Sequence, residues 1–391
     1  MMNSLRGRMR LGAPIFLAAL NMRVALVVIN PLIPYLKDEF ALSTLSISIL
    51  AGLPLVCFAV TGPVMAYVAR LGSTNRIIAL ALFSIGLASL GRAFTGVIGL
   101  FIFTFIIGTA IAVMNFVVPS WVKENMAQHA AFVTGVYVTL MGLVIAIGLA
   151  IAVPLADATK LSWRLSTLPW ALLSLAIALM WIKHARASRD RTLVDPIHFW
   201  RSSIFWSANM WALVFYFGIQ STIFYGTITW LPTILSAKGI PLASAAIAVS
   251  ISGLIGSLFG LALPALIRNR VDLRNLLTFV AIITAIPYLA LALVHGNALL
   301  AWMCVSSIGS ALSFPLSLYF VVLKASDHEK TREISTMMQS AGYLIAAGGP
   351  ALLGLLHDWS GGWNAALYAV CVMCAIQLLV GLKVGKPKLI S

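Results

Sequence analysis

Long apolar stretches dominate the chain, and their number and length decide what it can fold into. We read twelve of them, at approximately 12–36, 44–69, 76–95, 98–121, 130–154, 164–183, 203–235, 241–267, 275–294, 298–323, 334–356 and 364–383. Most run about 20 residues or more, the length a helix needs to cross a hydrocarbon core of about 30 Å. Hydrophobic residues make up 61% of the chain and charged residues 9%, which excludes an ordinary soluble core. The sequence therefore predicts an all-α, polytopic membrane protein with twelve transmembrane helices.

The basic residues are distributed unevenly between alternate loops. If the N-terminus is cytoplasmic, 20 of the 26 Lys and Arg residues lie in inside segments and five in outside segments. Such a bias sets membrane orientation, so we expect a protein of the cell (inner) membrane with both termini in the cytoplasm. The net charge of +15 is then an orientation signal. Nucleic-acid binding is not expected, because the basic residues are spread over loops on one membrane face and form no continuous patch with base-stacking aromatic residues.

The longest predicted cytoplasmic connection is polar and basic, and it divides the chain into two bundles. The predicted parts are an N-terminal six-helix bundle, a linker and a C-terminal six-helix bundle, at 1–183, 184–201 and 202–391. Residues of the same type recur at a constant distance, since Pro34 and Pro232 are 198 apart, as are Arg70 and Arg268. This pattern predicts a six-helix unit duplicated in parallel. Two parallel halves facing each other across a central site are a known plan of transporters.

Arg23 is the only formally charged side chain that we place inside an apolar stretch. It lies about midway along the first stretch, two residues after Asn21. Arg at the centre of a membrane helix costs about 2.5–3.5 kcal/mol on insertion scales, so its side chain should face protein or a water-filled cavity. None of the eleven Asp and Glu residues lies inside an apolar stretch by these boundaries. An anion from outside the protein is the expected partner, although a structural role that bridges carbonyls or an inward-folded carboxylate stays open.

Other polar side chains within the apolar stretches extend this candidate binding site. Gln220 lies twelve residues before Pro232, as Asn21 and Arg23 lie thirteen and eleven before Pro34, so it occupies nearly the repeat-equivalent depth. Its neutral amide can donate to an anion without adding a charge. A hydrogen bond between helices is an equally good explanation. The further candidates are Asn115 and Gln339, and, as weaker ones that packing explains more often, Tyr137, Thr139, Tyr225, Tyr343 and Ser313.

Three motifs carry a resemblance to a known family. They are Asn21-Met22-Arg23 in the first helix, Pro119-Ser120-Trp121-Val122-Lys123 closing the fourth, and Tyr216-Phe217-Gly218-Ile219-Gln220 with Trp230-Leu231-Pro232 in the seventh. With these motifs the chain resembles the major facilitator superfamily, and within it the cyanate and nitroimidazole transporter group (CynX/NimT). The resemblance implies a secondary transporter that works by alternating access as a functional monomer. Its substrate would be a small anion or small polar heterocycle, cyanate-like or nitroimidazole-like, with Arg23 as the central anion-binding residue.

The charges at the cytoplasmic helix ends are candidates for a gate. The superfamily signature after the second helix is present only in part, because its acidic position is Ala69. The resemblance implies that the end of the second helix faces the eleventh when the inside is closed, so Arg70 is expected to pair with Glu333. Arg268 and Glu124 are the other gate candidates. Solvated loop charges that serve only membrane orientation explain these residues equally well.

The sequence lacks the residues that several classes of function require. The sequence contains no nucleotide-binding Gly-x-x-x-x-Gly-Lys-Ser/Thr loop, and no His cluster or carboxylate pair in an apolar stretch, so an ATP-driven pump or an enzyme is not expected. We expect no cofactor and no metal. Two other functions stay open. One is efflux of small amphipathic compounds, with Arg23 structural and the aromatic residues providing recognition. The other is a non-transporting membrane receptor, although the loops are short for a sensory domain.

Overall fold

The computed structural model describes residues 5–68, 70, 72–187, 202–260, 263, 266, 273–294, 296, 298–386 and 390. All regular structure within these residues is helical. The α-helices, numbered α1 to α15 in chain order, are Leu5–Ala19, Val24–Val27, Ile33–Phe40, Thr44–Val68, Thr74–Phe94, Gly96–Met126, Ala130–Ala158, Trp163–Ala187, Ala208–Ala237, Leu242–Gly260, Leu273–Leu293, Ala298–Lys324, His328–Ala347, Gly349–Ser360 and Asn364–Val384. Short 3₁₀ helices lie at Asn30–Leu32, Ala127–His129 and Ser203–Trp206.

Twelve helical segments of the described chain are long and apolar enough to cross a membrane. The predicted twelve-helix, all-α architecture is therefore confirmed. Ten of the twelve segments contain a single α-helix. The first, Gly12–Phe40, contains α2 and α3 with the end of α1, and we call it span 1. The eleventh, Glu329–Ser360, contains α13 and α14.

Span 1 is not the single continuous helix that the apolar stretch at 12–36 predicted. Helix α1 ends at Ala19, and the chain leaves helical geometry until α2 begins at Val24. Further along, Pro31 and Pro34 lack the backbone N–H that an α-helix needs, which accounts for the 3₁₀ turn before α3. No proline or glycine lies at residues 20–23. The first interruption is thus not dictated by local sequence, and we call residues 20–23 the break.

One compact unit, unit 1, consists of Met1–Phe40 and Thr61–Pro196. Within it α5 packs mainly against α8 and α6, and α7 packs against α8, α1 and α2. The buried Ser174 on α8 donates a hydrogen bond of 2.9 Å to the carbonyl of Leu82 on α5, because a hydroxyl at membrane depth must find an acceptor within the protein. Helix α7 thus contacts both sides of the break, α1 and α2.

The other compact unit, unit 2, consists of Ala41–Val60 and Ile197–Ser391. Helix α9 packs mainly against α13 and α15, and α11 packs against α12 and α15. The first part of α4 belongs to this unit, and its Ser48 Oγ donates to the carbonyl of Pro350 in α14 at 3.1 Å.

The two units share an internal packing pattern. In unit 1 the third spanning helix, α5, packs against the fourth and sixth, and in unit 2 the ninth, α11, packs against the tenth and twelfth. This correspondence is what a duplicated six-helix bundle requires. The predicted division of the chain at 183 and 202 stays a prediction, because residues 188–201 of the linker lie outside the described residues.

An ion pair joins α3 to α8 within unit 1. Both guanidinium Nη atoms of Arg164, at the start of α8, donate to the carboxylate of Glu39 near the end of α3, one of them at 2.9 Å. The indole N–H of Trp163 donates to the same carboxylate at 2.7 Å, and the Arg164 Nε donates to the carbonyl of Ala93 at 2.8 Å. Four charge-assisted hydrogen bonds thus join α3, α8 and the end of α5.

We expect Glu39→Gln to lower the unfolding free energy of the protein in mixed micelles by about 1 kcal/mol. The amide keeps the shape of the side chain but loses the negative charge to which Arg164 and Trp163 donate hydrogen bonds. The matched control is Asp38→Asn at the neighbouring exposed carboxylate, which forms none of these bonds. Equal stability of the two variants would show that the ion pair contributes nothing measurable.

Candidate functional site

The break in span 1 leaves a stretch of irregular backbone within a membrane span. The backbone N–H groups of residues 20–22 donate to carbonyls three residues earlier, at 3.1–3.3 Å, so α1 ends in a tight turn. Arg23 then adopts φ −141° and ψ −33°, outside helical geometry. Irregular backbone at membrane depth is tolerated only where it is buried in protein or lines a cavity. The break therefore marks a special position in the span, and Arg23 occupies its last residue.

Asn21 lies within the break and is fully buried. Its exposed fraction is 0%, and neither its amide nitrogen nor its amide oxygen has a hydrogen-bond partner among the described residues. A buried polar group without a partner costs about 1–3 kcal/mol. Each unpartnered buried group in a native protein calls for an explanation, such as a bound water, an ion or a functional role. Arg23 itself is half-buried beside it.

Helix α7 approaches the break closely because it carries a glycine there. A Cβ on Gly148 would lie 2.5 Å from Val24 Cγ2, the first residue after the break, and 3.4 Å from Cζ2 of Trp170 on α8. No larger side chain fits at Gly148 without displacing Val24, whose β-branched side chain has little rotamer freedom. The glycine thereby sets how near α7 and the Trp170 ring lie to the break.

Arg92 corrects the prediction that Arg23 is the single buried charge. The orientation count assigned Arg92 to an outside segment although it lies within the predicted stretch at 76–95, and its side chain, on α5, is only 2% exposed. Its Nη2 donates to the carbonyl of Ala25 at 2.8 Å, two residues after Arg23. Lys324 of unit 2, also 2% exposed, is a second such case, and its Nζ donates to a backbone carbonyl at 2.5 Å.

The other unit 1 candidates lie on α6 and α7. Asn115 is half-buried and has no hydrogen-bond partner among the described residues. Tyr137 is buried, at 7% exposure. Thr139 is exposed, and its hydroxyl donates to the carbonyl of Gly135 at 2.8 Å, as serine and threonine hydroxyls often do within helices.

Two of the unit 2 candidates are buried and belong to hydrogen-bonded pairs. Gln220 on α9 is 5% exposed, and its amide oxygen accepts from the hydroxyl of the next residue, Ser221, at 3.1 Å. Ser313 on α12 is 3% exposed and accepts from Gln377 on α15 at 3.3 Å. The Ser313 bond joins two helices, whereas the Gln220 bond stays within one helix. The contact favours a structural role for Ser313.

An aromatic cluster surrounds Tyr343 on α13. Its ring centroid lies 5.4 Å from that of Phe58, 5.0 Å from that of Phe217 and 6.4 Å from that of Tyr225, with edge-to-face geometry in each case. Such pairs stabilise a core. The structure thus brings the candidates Tyr225 and Tyr343 together. The nearby candidate Gln339 is half-buried and donates to Ser335 Oγ at 2.9 Å.

The proposed gate residues have local contacts in their own units. The guanidinium of Arg70 lies 5.2 Å from the ring centroid of Tyr67, and Glu333 accepts from Lys330 at 3.1 Å. Glu124 accepts from the hydroxyl of Thr74 at 3.2 Å. Arg268 lies outside the described residues, and the pairing of Arg70 with Glu333 stays a prediction.

Twelve spanning helices, a repeated packing pattern and buried polar groups at an interrupted span define a class of protein, a multi-pass membrane transporter. The Major Facilitator Superfamily profile matches residues 15–347, and the chain belongs to this superfamily. It is a transporter and not an enzyme, and its substrate is a small molecule.

Three similar proteins resemble the chain over nearly its full length. A 2-nitroimidazole transporter of Escherichia coli (strain K12) is 31% identical over 389 residues, covering 98% of this chain and 97% of that protein. The uncharacterized transporter YycB of Bacillus subtilis (strain 168) is 29% identical, covering 96% and 93%. The cyanate transport protein CynX of Escherichia coli (strain K12) is 27% identical, covering 91% and 93%. The predicted resemblance to this group is confirmed.

Solved structures of other transporters share the fold. A bacterial homologue of the human lysosomal transporter Spinster superposes with a TM-score of 0.80 at 17% identity, covering 98% of both chains. The D-xylose-proton symporter superposes with a TM-score of 0.75 at 14% identity, covering 97% of both chains. At these identities the likeness establishes the fold alone.

Three residues near the break escaped the sequence analysis. Arg92 was counted with an outside segment, although it lies within the predicted apolar stretch at 76–95. Trp170 and Gly148 gave no signal, because a tryptophan or a glycine in an apolar stretch is usually explained by packing. Only the approach of Gly148 to Val24, and of the Trp170 ring to Gly148, distinguishes them.

We expect Gly148→Ala to reduce transport strongly while the protein still folds, because the new methyl group would displace Val24 at a cost of about 1–3 kcal/mol. Uptake into proteoliposomes measures the effect. The control is Gly135→Ala on the same helix, where a Cβ meets nothing within 4 Å. Indistinguishable uptake by the two variants would mean that the geometry of the break does not matter for transport.

Proposed function

We propose that the chain transports a small anion, or a small polar heterocycle with anion-like acceptor groups, and that Arg23 is its principal binding residue. The observation that carries this proposal is the buried, unpartnered amide of Asn21 in a break directly beside Arg23. Discontinuous spanning helices build the substrate sites of many secondary transporters. The break is such a discontinuity, and Arg23 and Asn21 place a cation and an amide side by side in it.

The guanidinium suits this task for a geometric reason. It is planar, stays charged, and offers several donors in a fixed fork that matches the acceptor atoms of a small anion or a nitro group. In a site of low effective dielectric, such a charge-assisted contact is stronger than in water. Asn21 adds an amide that donates or accepts without a second charge.

The similar proteins narrow the class of substrate. One is described as a 2-nitroimidazole transporter and another as a cyanate transport protein. Cyanate is a small anion, and 2-nitroimidazole carries a nitro group with two acceptor oxygens. Both present acceptor atoms to a cation, which is the property that the break requires. We propose a cyanate-like or nitroimidazole-like substrate.

The surrounding mechanism follows from the superfamily. We propose alternating access by a functional monomer, with two six-helix halves at 1–183 and 202–391. The distribution of basic residues supports an inner-membrane protein with both termini in the cytoplasm. Uniport, anion exchange and symport of a proton carried on the substrate are all compatible with this mechanism.

Arg23→Ala should abolish uptake of the substrate by proteoliposomes, because the cation is lost. Arg23→Lys should weaken it by at least about tenfold, since one ammonium cannot replace the planar fork. Uptake of radiolabelled cyanate and 2-nitroimidazole at equal protein density measures both effects.

The matched control for these variants is Arg76→Lys, at an exposed position near the start of α5. It keeps wild-type uptake if the effect is specific to the break. Wild-type uptake by a folded Arg23→Ala variant would refute the proposed role of Arg23.

Gln220 is the proposed substrate contact in unit 2. If its amide donates to an anion, Gln220→Glu should impair uptake more than Gln220→Ala, because a carboxylate repels the substrate whereas alanine only removes a donor. Apparent affinity is the quantity to compare. Gln377→Ala, which breaks the helix-to-helix bond to Ser313, is the control for loss of a buried amide. Equal effects of the two Gln220 changes would assign this residue to packing.

Efflux of flat amphipathic compounds is the second candidate function. The aromatic cluster of Phe58, Phe217, Tyr225 and Tyr343 favours it, because aromatic faces bind flat apolar ligands. Energised vesicles that extrude a cationic dye, with the rate unchanged in Arg23→Ala, would support efflux over anion transport.

A further inference from the structure

Buried polar atoms without hydrogen-bond partners are concentrated around the break. Among the described residues, Asn21, Arg92 and Trp170 together have five such atoms, and all three residues belong to unit 1. We propose that Arg92 and Trp170 are substrate-binding residues in addition to Arg23 and Asn21. This inference rests on the proposed function and adds donors from two further helices, α5 and α8.

Two of the three guanidinium nitrogens of Arg92 have no hydrogen-bond acceptor among the described residues. Only its Nη2 is satisfied, by the Ala25 carbonyl at 2.8 Å, while Nε and Nη1 are buried without an acceptor among the described residues. A guanidinium buried to this extent in a membrane span is expensive unless it is paired with an acceptor or an anion. The bond to Ala25 fixes the side chain against the residues that follow the break. A negatively polarised ligand at Arg23 is the kind of group that would satisfy the remaining donors.

Trp170 reaches the same region from α8. It is 8% exposed, and its indole N–H has no acceptor among the described residues. Its Cζ2 and Cε2 lie 3.4 and 3.7 Å from where a Cβ on Gly148 would be, at the spot that Val24 also contacts. Cε2 is bonded to Nε1, so the unpartnered N–H is one bond away from an atom in contact with this spot. Buried tryptophans usually find a partner for this group.

The unpartnered atoms define the chemistry of the ligand. Four of the five are nitrogen donors, on Arg92, Trp170 and the Asn21 amide, and the fifth is the Asn21 amide oxygen. A complementary ligand has several acceptor atoms and a single N–H or O–H donor. An azole that carries a nitro group has this balance, because its nitro oxygens and ring nitrogen accept while one ring N–H donates. A linear anion such as cyanate satisfies the donors but leaves the amide oxygen unpaired.

The alternative is that both side chains are structural. It makes a distinct prediction, because an unpartnered N–H that never meets a ligand can be removed at no cost to binding. Trp170→Phe removes the N–H together with the five-membered part of the indole, and Trp181→Phe on the same helix loses the same atoms, so a comparison of the two variants isolates the effect of the unpartnered N–H. Both variants lose buried ring volume, but Trp170→Phe should destabilise the substrate-free protein less than Trp181→Phe, since it removes an unsatisfied donor and breaks no hydrogen bond.

The test is equilibrium binding of 2-nitroimidazole, 1-methyl-2-nitroimidazole and cyanate to purified protein. Trp170→Phe should weaken binding of 2-nitroimidazole about tenfold, and Arg92→Lys should weaken it further. The control is Trp181→Phe on the same helix, whose indole N–H already donates to the carbonyl of Pro14 at 3.2 Å. This control should change affinity less than about twofold. The N-methyl compound, which lacks the donor, should bind the wild type about tenfold more weakly than 2-nitroimidazole.

Each outcome of these binding measurements supports or refutes the role of Trp170, the role of Arg23 or the chemistry of the ligand. Wild-type affinity in Trp170→Phe, with binding still lost in Arg23→Ala, would overturn this inference and leave the proposed function intact. Loss in Trp170→Phe with binding retained in Arg23→Ala would support the inference and refute the role of Arg23. Equal binding of the two nitroimidazoles would overturn the single-donor ligand. Failure of the wild type to bind any of the three probes would refute both proposals.

Discussion

A polar group buried in a membrane span must find its hydrogen-bond partner within the protein or in a ligand, and unit 1 departs from this requirement at the break in span 1. The helices on either side satisfy their own backbone, but the amide of Asn21 remains without a partner among the described residues. The break persists because its neighbours hold it in place. Gly148 lets α7 approach Val24, and Arg92 binds the carbonyl of Ala25. The packing of α5 against α8 then positions the Arg92 and Trp170 side chains.

In this arrangement the same residue, Arg92, both supports the break and offers unpaired donors. Arg92 stabilises the residues after the break with one nitrogen and keeps two nitrogens for another partner. If a ligand engages these donors as proposed, it joins the break to α5 and α8. Differential binding of this kind is the means by which a substrate shifts a conformational equilibrium.

The fold could be predicted from the sequence because twelve apolar stretches leave little choice. Hydropathy counts helices well, and it located the polar residues at the centre of span 1. It could not reveal the break, since residues 20–23 contain neither proline nor glycine and the interruption depends on tertiary contacts. It counted Arg92 with an outside segment, because a charge near the end of an apolar stretch is usually solvated, and the burial of this side chain depends on its tertiary contact with Ala25. Trp170 became a candidate only through its unpartnered N–H, which no sequence pattern encodes.

The central claim is that the break binds the substrate, and anomalous diffraction tests it most directly. Crystals of the wild-type protein can be soaked with selenocyanate, a heavier analogue of cyanate, and in parallel with a brominated 2-nitroimidazole. The account predicts an anomalous peak for at least one compound in contact with residues 21–25, within reach of the Arg23 side chain, and its loss in Arg23→Ala. Peaks found only away from the break, or a peak that persists in Arg23→Ala, would contradict it.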